Sequence, residues 1–306
     1  MFLDDAEYVS FGGCACKGLA YLGMLRALQE RPEHQAWHAR LRGACGSSSG
    51  CLAALAFLVD VDARAFVDRC AALDIDSVAP CMDLNGVLTR FGMDSGQVVR
   101  TLVRELFALS GLSHDDTTFA TLHRLTGRDL RVCVTNLSTL QLQVFSHATT
   151  PDVVISSAMY WSMCIPFVFE PETFRDDVMV DGCALAVVPY DVFDLDRTLV
   201  FYVSAGRPLA TDRCEINSLR TFAGQVLACC ALEVYKRVDS VREARPDRFL
   251  HLRVGAEDDT VLRMDRAIVV RQAGLGYYAC LARLRPELRS VGAALLAALL
   301  SVALRF

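Results

Sequence analysis

The sequence predicts an α/β protein in which a central, largely parallel sheet is flanked by helices. Short apolar runs with strand character alternate with longer runs whose apolar residues recur at helical spacing, which is typical of layered α/β folds. The chain has 306 residues, of which 53% are hydrophobic, and no Pro-rich or Ser-rich linker divides it. A chain of this size can bury a large core, so one main folding unit is expected, with a mainly helical C-terminal part.

The strands and helices follow one another in a regular order along the chain. Strands are predicted at residues 8–11, 41–45, 130–135, 141–145, 178–180 and 198–204. Helices are predicted at residues 19–29, 51–58, 63–73, 96–108 and 152–163. Beyond residue 190, the pattern predicts helices at 217–241 and 264–285 with a strand at 249–254 between them. In open α/β sheets, ligands bind beyond the carboxyl ends of strands, so the residues that follow strand ends are the first candidates for a site.

A serine between two glycines follows the second predicted strand. Ser48 lies two residues after Gly46 and two residues before Gly50, and a helical run begins at residue 51. A Gly-x-Ser-x-Gly string can be an ordinary loop, but between a strand and a helix it is typical of a nucleophile elbow. The sequence therefore predicts Ser48 as a nucleophile.

A glycine-containing loop at residues 12–18 joins the first predicted strand to the first predicted helix. The N–H groups at such a junction can stabilise an anion, which is either a bound phosphate or the oxyanion of a reaction. Lys17 precedes Gly18 and Leu19 follows it, so the loop lacks the Walker pattern, and the Gly-x-Gly-x-x-Gly fingerprint is also absent. An oxyanion hole serving Ser48 fits the loop better than a nucleotide site.

Asp181 follows the predicted strand at 178–180 and precedes Gly182. An aspartate at a strand end is often only a turn former. A serine hydroxyl, however, is a weak nucleophile until a positioned base accepts its proton. Together with Ser48, Asp181 is therefore a candidate general base.

These segments together resemble the patatin-like phospholipase family, whose members use a serine–aspartate dyad. Residues 10–25 resemble the glycine-rich loop and helix of the family, 46–50 its elbow, and 118–137 the stretch that ends in its central strand. Residues 156–171 resemble the Ala-Ser-x-x-x-Pro-x-x-Phe segment that precedes the catalytic Asp-Gly. The resemblance extends over about residues 7–195 in the order of the family.

The resemblance implies Ser48 as the nucleophile and Asp181 as its base. The backbone groups that it implies for the oxyanion hole belong to Gly13, Cys14, Ala15 and Cys16. The residues that would support these parts are Gly12, Lys17, Gly18, Gly46, Gly50 and Gly182. The family usually has glycine at positions 14 and 15 and glycine or alanine at position 183, where this chain has cysteine, alanine and cysteine. If position 14 or 15 needs a positive φ, the Cβ atom there costs on the order of 1 kcal/mol.

The expected activity is phospholipase A-type hydrolysis of acyl esters through an acyl-enzyme on Ser48, with no metal and no cofactor. One alternative is a Ser-His-Asp esterase, because Ser48, Asp181 and His251 follow the chain order of α/β-hydrolases. The other alternative is a lipid-binding or scaffolding protein with the same fold and weakened chemistry, which the residues at positions 14 and 15 suggest.

Composition and the two ends of the chain supply further expectations. The net charge of −5 gives no general attraction to nucleic acid, and the 13 cysteines are interpreted as reduced thiols. Residues 1–7 carry three acids and no positive cluster, so no secretory signal is expected and an intracellular, cytoplasmic location is predicted.

A catalytic domain is predicted at residues 1–289 and an apolar tail at 290–306. The tail is uncharged between Arg289 and Arg305, and this stretch is shorter than the roughly 17 to 25 residues that span a bilayer. Two interpretations stay open: the tail is a docked terminal helix, or it contacts a membrane surface peripherally.

Overall fold

A computed structural model of the protein describes residues 5–73, 84–205, 215–254 and 265–284. The predicted tail at 290–306 lies outside the described residues, as do both ends of the helix predicted at 264–285. Among the described residues, no helix combines the length and the apolar character needed to cross a membrane.

The described residues form an alternating series of strands and helices. The strands are β1 (Tyr8–Phe11), β2 (Gly43–Ser47), β3 (Gly92–Asp94), β4 (Asp129–Asn136), β5 (Gln141–Phe145), β6 (Phe167–Phe169), β7 (Glu172–Phe174), β8 (Asp177–Asp181), β9 (Thr198–Ala205) and β10 (Phe249–Val254). The helices are α1 (Leu19–Gln29), α2 (His34–Arg40), α3 (Gly50–Leu58), α4 (Ala63–Ala72), α5 (Leu84–Arg90), α6 (Gln97–Ser110), α7 (Phe119–Thr126), α8 (Ile155–Ser162), α9 (Leu219–Ala244) and α10 (Arg266–Leu284).

Eight strands form one central sheet in the order β10-β9-β1-β2-β4-β8-β7, with β5 paired to β4. The five strands from β10 to β4 are parallel, whereas β5, β7 and β8 pair in the antiparallel direction. Strands β3 and β6 form a separate parallel pair. The predicted α/β architecture with a largely parallel sheet is confirmed.

The ends of β2 and β8 meet on one edge of β4. Strand β2 pairs with the first part of β4, up to Ser47 opposite Cys133, and β8 pairs with the last part, where Asp181 lies opposite Val134. Strand β5 pairs with the same β4 residues, so it occupies the other edge. The two strands therefore approach each other head-on, and their carboxyl ends lie at neighbouring positions of β4.

Some elements differ from the prediction. The second strand begins at residue 43 rather than 41 and continues to 47, and the helix predicted at 152–163 extends only over 155–162. The short helices α2, α5 and α7 were not predicted, since seven or eight residues give little periodicity. The antiparallel direction of β8 was not predicted either, because it depends on a pairing between distant residues.

The core anchors the elements that carry the site. Phe11, the last residue of β1, is fully buried and packs against Phe57 of α3 and Phe201 of β9, with ring centroids 4.7 and 4.8 Å away. Burying one such side chain contributes roughly 1.5–3 kcal/mol. Helix α10 packs closely against α1, where Gly276 faces the backbone of Ala20. The loop at residues 12–18 therefore lies between two anchored elements, β1 and α1.

Candidate active site

Ser48 occupies the turn between β2 and α3 in a left-handed backbone conformation. Its φ is +52°, which costs a non-glycine residue roughly 1–2 kcal/mol. The strand ends at Ser47 and the helix begins at Gly50, so the change of direction falls on two residues. A strained serine at such a turn is the geometry of a nucleophile elbow, which points the side chain away from both elements.

The two glycines of the elbow are required by close backbone contacts. A Cβ atom built on Gly46 would lie 2.3 Å from the carbonyl oxygen of Gly50. A Cβ atom built on Gly50 would lie 2.3 Å from the carbonyl oxygen of Phe11. The first turn of α3 thus presses against β2 and β1, and this packing fixes the position of Ser48 between them.

Ser48 and Asp181 are hydrogen-bonded to each other. Ser48 Oγ donates to Asp181 Oδ2 over 2.7 Å, and the N–H of Cys183 donates to Asp181 Oδ1 over 2.8 Å. Ser48 is 5% exposed and Asp181 is 4% exposed. The head-on meeting of β2 and β8 brings these two residues together although 133 positions separate them in the chain.

Burial has the largest effect on the pKa of Asp181. Desolvation raises its pKa to about 6, while the hydrogen bonds from Cys183 and Ser48 act in the opposite direction. A carboxylate with this pKa is ionised at pH 7 and is a stronger base than an exposed aspartate. It can therefore accept the hydroxyl proton of Ser48 without an intermediary.

The loop at residues 12–18 lies directly beside Ser48. A Cβ atom built on Gly13 would lie 2.8 Å from Ser48 Cβ and 2.1 Å from Cys183 Sγ, so only glycine fits there. The N–H of Gly13 donates to the Val187 carbonyl over 2.8 Å, and the N–H of Cys14 donates to Ser49 Oγ over 3.2 Å. Two of the four amides expected in the oxyanion hole therefore already have acceptors.

Ala15 and Cys16 supply the other two expected amides. They begin a short 3-10 helix at Ala15–Gly18, and their N–H groups have no acceptor in any other described residue of the chain. The first N–H groups of a helix have no partner within it and attract negative charge. Within the loop, Ala15 and Cys16 are thus the donors available to an oxyanion.

Of the two positions where a positive φ was considered, 14 and 15, only Ala15 has one. Ala15 has a φ of +51°, in the left-handed region, whereas Cys14 has a negative φ of −159°. Burial raises the pKa of the Cys14 thiol to about 11 and that of the Cys16 thiol to about 12. Both thiols are therefore protonated at neutral pH, and neither places a negative charge beside the donors.

The residues expected to support the site lie in or beside the loop. The Gly12 carbonyl accepts a hydrogen bond from the Tyr21 hydroxyl of α1 over 2.9 Å. The N–H of Lys17 donates to the Cys14 carbonyl over 3.1 Å, and a Cβ atom on Gly18 would lie 2.8 Å from Ser49 Oγ. On the other side of the dyad, Gly182 begins a 3-10 helix directly after Asp181.

Sequence reasoning did not single out Ser162, the last residue of α8. Ser162 Oγ accepts the N–H of Ser48 over 2.9 Å and donates to the Cys133 carbonyl over 2.6 Å. A signal for it existed, because Ser162, Pro166 and Phe169 have the Ser-x-x-x-Pro-x-x-Phe spacing of the segment at 156–171. Ser49 was also not singled out, although its hydroxyl accepts the Cys14 amide.

The structure does not bring His251 to the dyad. His251 lies on β10, three strands from β2, which corresponds to about 14 Å across the sheet. Its Nε2 lies 2.7 Å from Ser204 Oγ, and its ring stacks on Tyr202 with centroids 4.5 Å apart. Burial, together with the charges of Arg242 and Arg253, lowers its pKa to about 4.

Within the described ranges, no three His, Cys, Asp or Glu side chains are grouped to hold a metal ion. The sequence model of the patatin-like phospholipase family matches residues 9–194, a stretch that includes Ser48, Asp181 and the loop at 12–18.

Individual relatives share the fold or a short part of the sequence. An uncharacterized protein of Acanthamoeba polyphaga mimivirus, R571, is 34% identical over 74 residues, which are 24% of this chain and 25% of that protein. The crystal structure of VipD from Legionella pneumophila superposes with a TM-score of 0.56 at 17% identity, over 92% of this chain and 67% of that one. ExoU of Pseudomonas aeruginosa, in its complex with SpcU, has a TM-score of 0.38 at 16% identity, over 94% of this chain and 60% of that one. The similarity to VipD shows a shared fold. The TM-score for ExoU is too low to show one.

Proposed function

This chain belongs to the patatin-like phospholipase family, and we propose that it is a phospholipase A-type lipid acyl hydrolase with a Ser48–Asp181 dyad. The observation that carries the proposal is the 2.7 Å hydrogen bond from Ser48 Oγ to the buried carboxylate of Asp181. The family membership supports lipid hydrolysis in general, and the dyad geometry supports the serine esterase mechanism.

In the first half of the proposed reaction, Ser48 Oγ attacks the ester carbonyl carbon while its proton moves to Asp181 Oδ2. The carbonyl oxygen becomes an oxyanion, which the N–H groups of Ala15 and Cys16 stabilise. When the intermediate collapses, the bond to the leaving alcohol breaks and Asp181 returns the proton to that alcohol. Ser48 is left as an acyl ester.

In the second half, water repeats these steps. Asp181 takes a proton from the water, the resulting hydroxide attacks the acyl carbon, and the same amides hold the second oxyanion. Collapse breaks the bond to Ser48 Oγ, which recovers its proton from Asp181. The products are a fatty acid and the free enzyme.

The first test replaces both members of the dyad. Ser48→Ala and Asp181→Asn should each lower turnover of a phospholipid or a short ester by at least about 10³, and the double variant should be little worse, because members of one catalytic unit are not additive. His251→Ala is the matched control and should keep turnover within about twofold. If Ser48→Ala kept a tenth of the activity, the proposal would be wrong, whereas a comparable loss in His251→Ala would favour a triad.

Covalent labelling separates the enzyme from a weakened lipid-binding protein of the same fold. A fluorophosphonate probe should label the wild-type protein and should not label Ser48→Ala. Failure to label the folded wild-type protein would favour the binding protein instead.

We also propose that the substrate is a phospholipid or another acyl-ester lipid, met inside the cell at a membrane surface that residues 290–306 contact. The support is the apolar sequence of that tail, which is uncharged between Arg289 and Arg305. Deleting 290–306 should weaken binding to phosphatidylcholine liposomes more than it slows hydrolysis of a soluble ester. Unchanged liposome binding by the shortened, folded protein would contradict the membrane contact.

A further inference from the structure

Two residues at and just after the end of α8, Ser162 and Cys164, accept hydrogen bonds from the backbones of both members of the dyad. Ser162 Oγ accepts the N–H of Ser48 over 2.9 Å. Two residues later, the carbonyl of Cys164 accepts the N–H of Asp181 over 2.9 Å. Residues 162–164 therefore bridge the elbow and the end of β8 independently of the hydrogen bond between the two side chains.

The hydroxyl of Ser162 both accepts and donates a hydrogen bond. While it accepts from Ser48, it donates to the Cys133 carbonyl over 2.6 Å, and Cys133 is the β4 residue opposite Ser47. Ser162 is fully buried, so water has no access to replace either bond. Only a side chain that donates and accepts at one atom can make this link between the sheet and the elbow.

We propose that Ser162 is a positioning residue for this reaction, whose hydroxyl holds the Ser48 backbone so that Ser48 Oγ stays directed at Asp181. The proposal rests on the proposed function of the dyad. It assigns Ser162 no contact with substrate, since its hydroxyl is already occupied by Ser48 and Cys133.

The strain at Ser48 explains why a backbone hydrogen bond would control the side chain. A residue with a φ of +52° relaxes unless its surroundings hold it, and the N–H of Ser48 is buried beside Ser162. Without an acceptor, this buried N–H would be unsatisfied, which is costly. The turn would then change its backbone conformation so that the N–H reaches another acceptor, and this change would rotate Ser48 Oγ away from Asp181. Displacement of a reacting group by about 1 Å can cost 10²-fold in rate.

The key variant is Ser162→Ala, with Ser156→Ala as the matched control. Ser156 lies on the same helix, is 9% exposed, and donates one hydrogen bond to the His114 carbonyl over 2.8 Å, so its replacement also removes a hydroxyl bond to a backbone carbonyl. Ser162→Ala should lower kcat for a soluble ester by about 10² with KM within twofold, and should slow fluorophosphonate labelling similarly. Ser156→Ala should keep kcat within twofold.

The pH profile provides a readout that a loss of stability alone would not move. The hydrogen bond from Ser48 helps to hold the pKa of Asp181 down, so losing its alignment should raise that pKa. The rising limb of kcat/KM against pH should therefore shift to higher pH in Ser162→Ala and stay in place in Ser156→Ala.

Two outcomes would overturn the proposal in distinguishable ways. If Ser48→Ala is inactive but folded Ser162→Ala keeps kcat within threefold of wild type, the dyad stands and the role of Ser162 is wrong. If Ser48→Ala is active, the proposed function fails and the positioning role fails with it.

Should Ser162→Ala not fold, Ser162→Cys takes its place, because a thiol is similar in size but a weak acceptor. A loss of at least tenfold in its kcat is expected, and full activity would overturn the proposal.

Discussion

At Asp181, the burial that would make the carboxylate a stronger base in the proposed reaction also destabilises the fold when the carboxyl is ionised. The rise of its pKa from 3.8 to about 6 corresponds to about 3 kcal/mol between its two protonation states. Because the pKa of the folded state is the raised one, protonation stabilises the fold below about pH 4, and this contribution is lost as the pH rises through 6. The proposed reaction therefore needs Asp181 in the ionised form, which is the form that destabilises the fold.

The activity should follow the ionisation of Asp181. Only the carboxylate can accept the Ser48 proton, so kcat/KM for a soluble ester should rise with pH through a midpoint near 6 and should be about tenfold below its plateau at pH 5. Initial rates between pH 4.5 and 8 would show this. A midpoint near pH 4 would mean that the base is an exposed carboxyl or that burial does not govern it.

The left-handed backbone at Ala15 predicts opposite effects for two neighbouring substitutions. Ala15→Gly should leave the free energy of unfolding unchanged or raise it by up to about 1 kcal/mol, because glycine adopts a φ of +51° without a Cβ clash. Cys14→Gly should lower it, since the φ of Cys14 is negative and does not require glycine, and glycine there adds freedom to the unfolded chain. Chemical denaturation of both variants would test this, and a greater loss in Ala15→Gly would contradict it.

At the scale of elements, the sequence was sufficient for the parts of the site that are contiguous in the chain. The elbow around Ser48, the glycine loop and the strand before Asp181 each carry a local signal in residue type and spacing. Their convergence on one edge of the sheet was expected because each follows a strand end, but the antiparallel pairing of β8 with the edge of β4 that β2 also uses could not be predicted, since pairing direction leaves no local pattern. Ser162 was missed although its spacing to Pro166 and Phe169 is a local signal, because its role depends on contacts with Ser48 and Cys133 rather than with its neighbours in the chain.

The contact between α1 and α10 predicts different effects for the same substitution at two positions of one helix. In Gly276→Ala, the new Cβ would lie 1.8 Å from the Ala20 carbonyl oxygen of α1, so a loss of about 1–3 kcal/mol in the free energy of unfolding is expected. In Gly274→Ala, nothing lies within 4 Å of the new Cβ, and a gain of about 0.5–1 kcal/mol is expected from helix propensity. Urea unfolding measures both, and equal effects would show that the helices can separate at little cost.

At the scale of the whole molecule, the region matched by the family model should not be an independent folding unit. A chain ending at residue 194 would lose β9 and β10, which complete the sheet beside β1, and α10, which covers α1. We expect this shortened chain to be aggregated or unfolded by circular dichroism and size-exclusion chromatography. A chain ending at residue 289 keeps every described element and should unfold cooperatively, so a folded 1–194 fragment would refute the prediction.

The position of β1 between β2 and β9 also sets the order in which the molecule can be completed during synthesis. Strand β1 is parallel to β9 although roughly 190 residues separate them, and closing so long a loop is entropically costly and slow. At a ribosome rate of about 5–20 residues per second, one edge of β1 stays without its partner strand for on the order of ten to forty seconds. Throughout that interval the nascent chain presents an open strand edge beside the loop at residues 12–18. Chaperone binding or a lowered expression temperature during those seconds would protect the yield of native protein most.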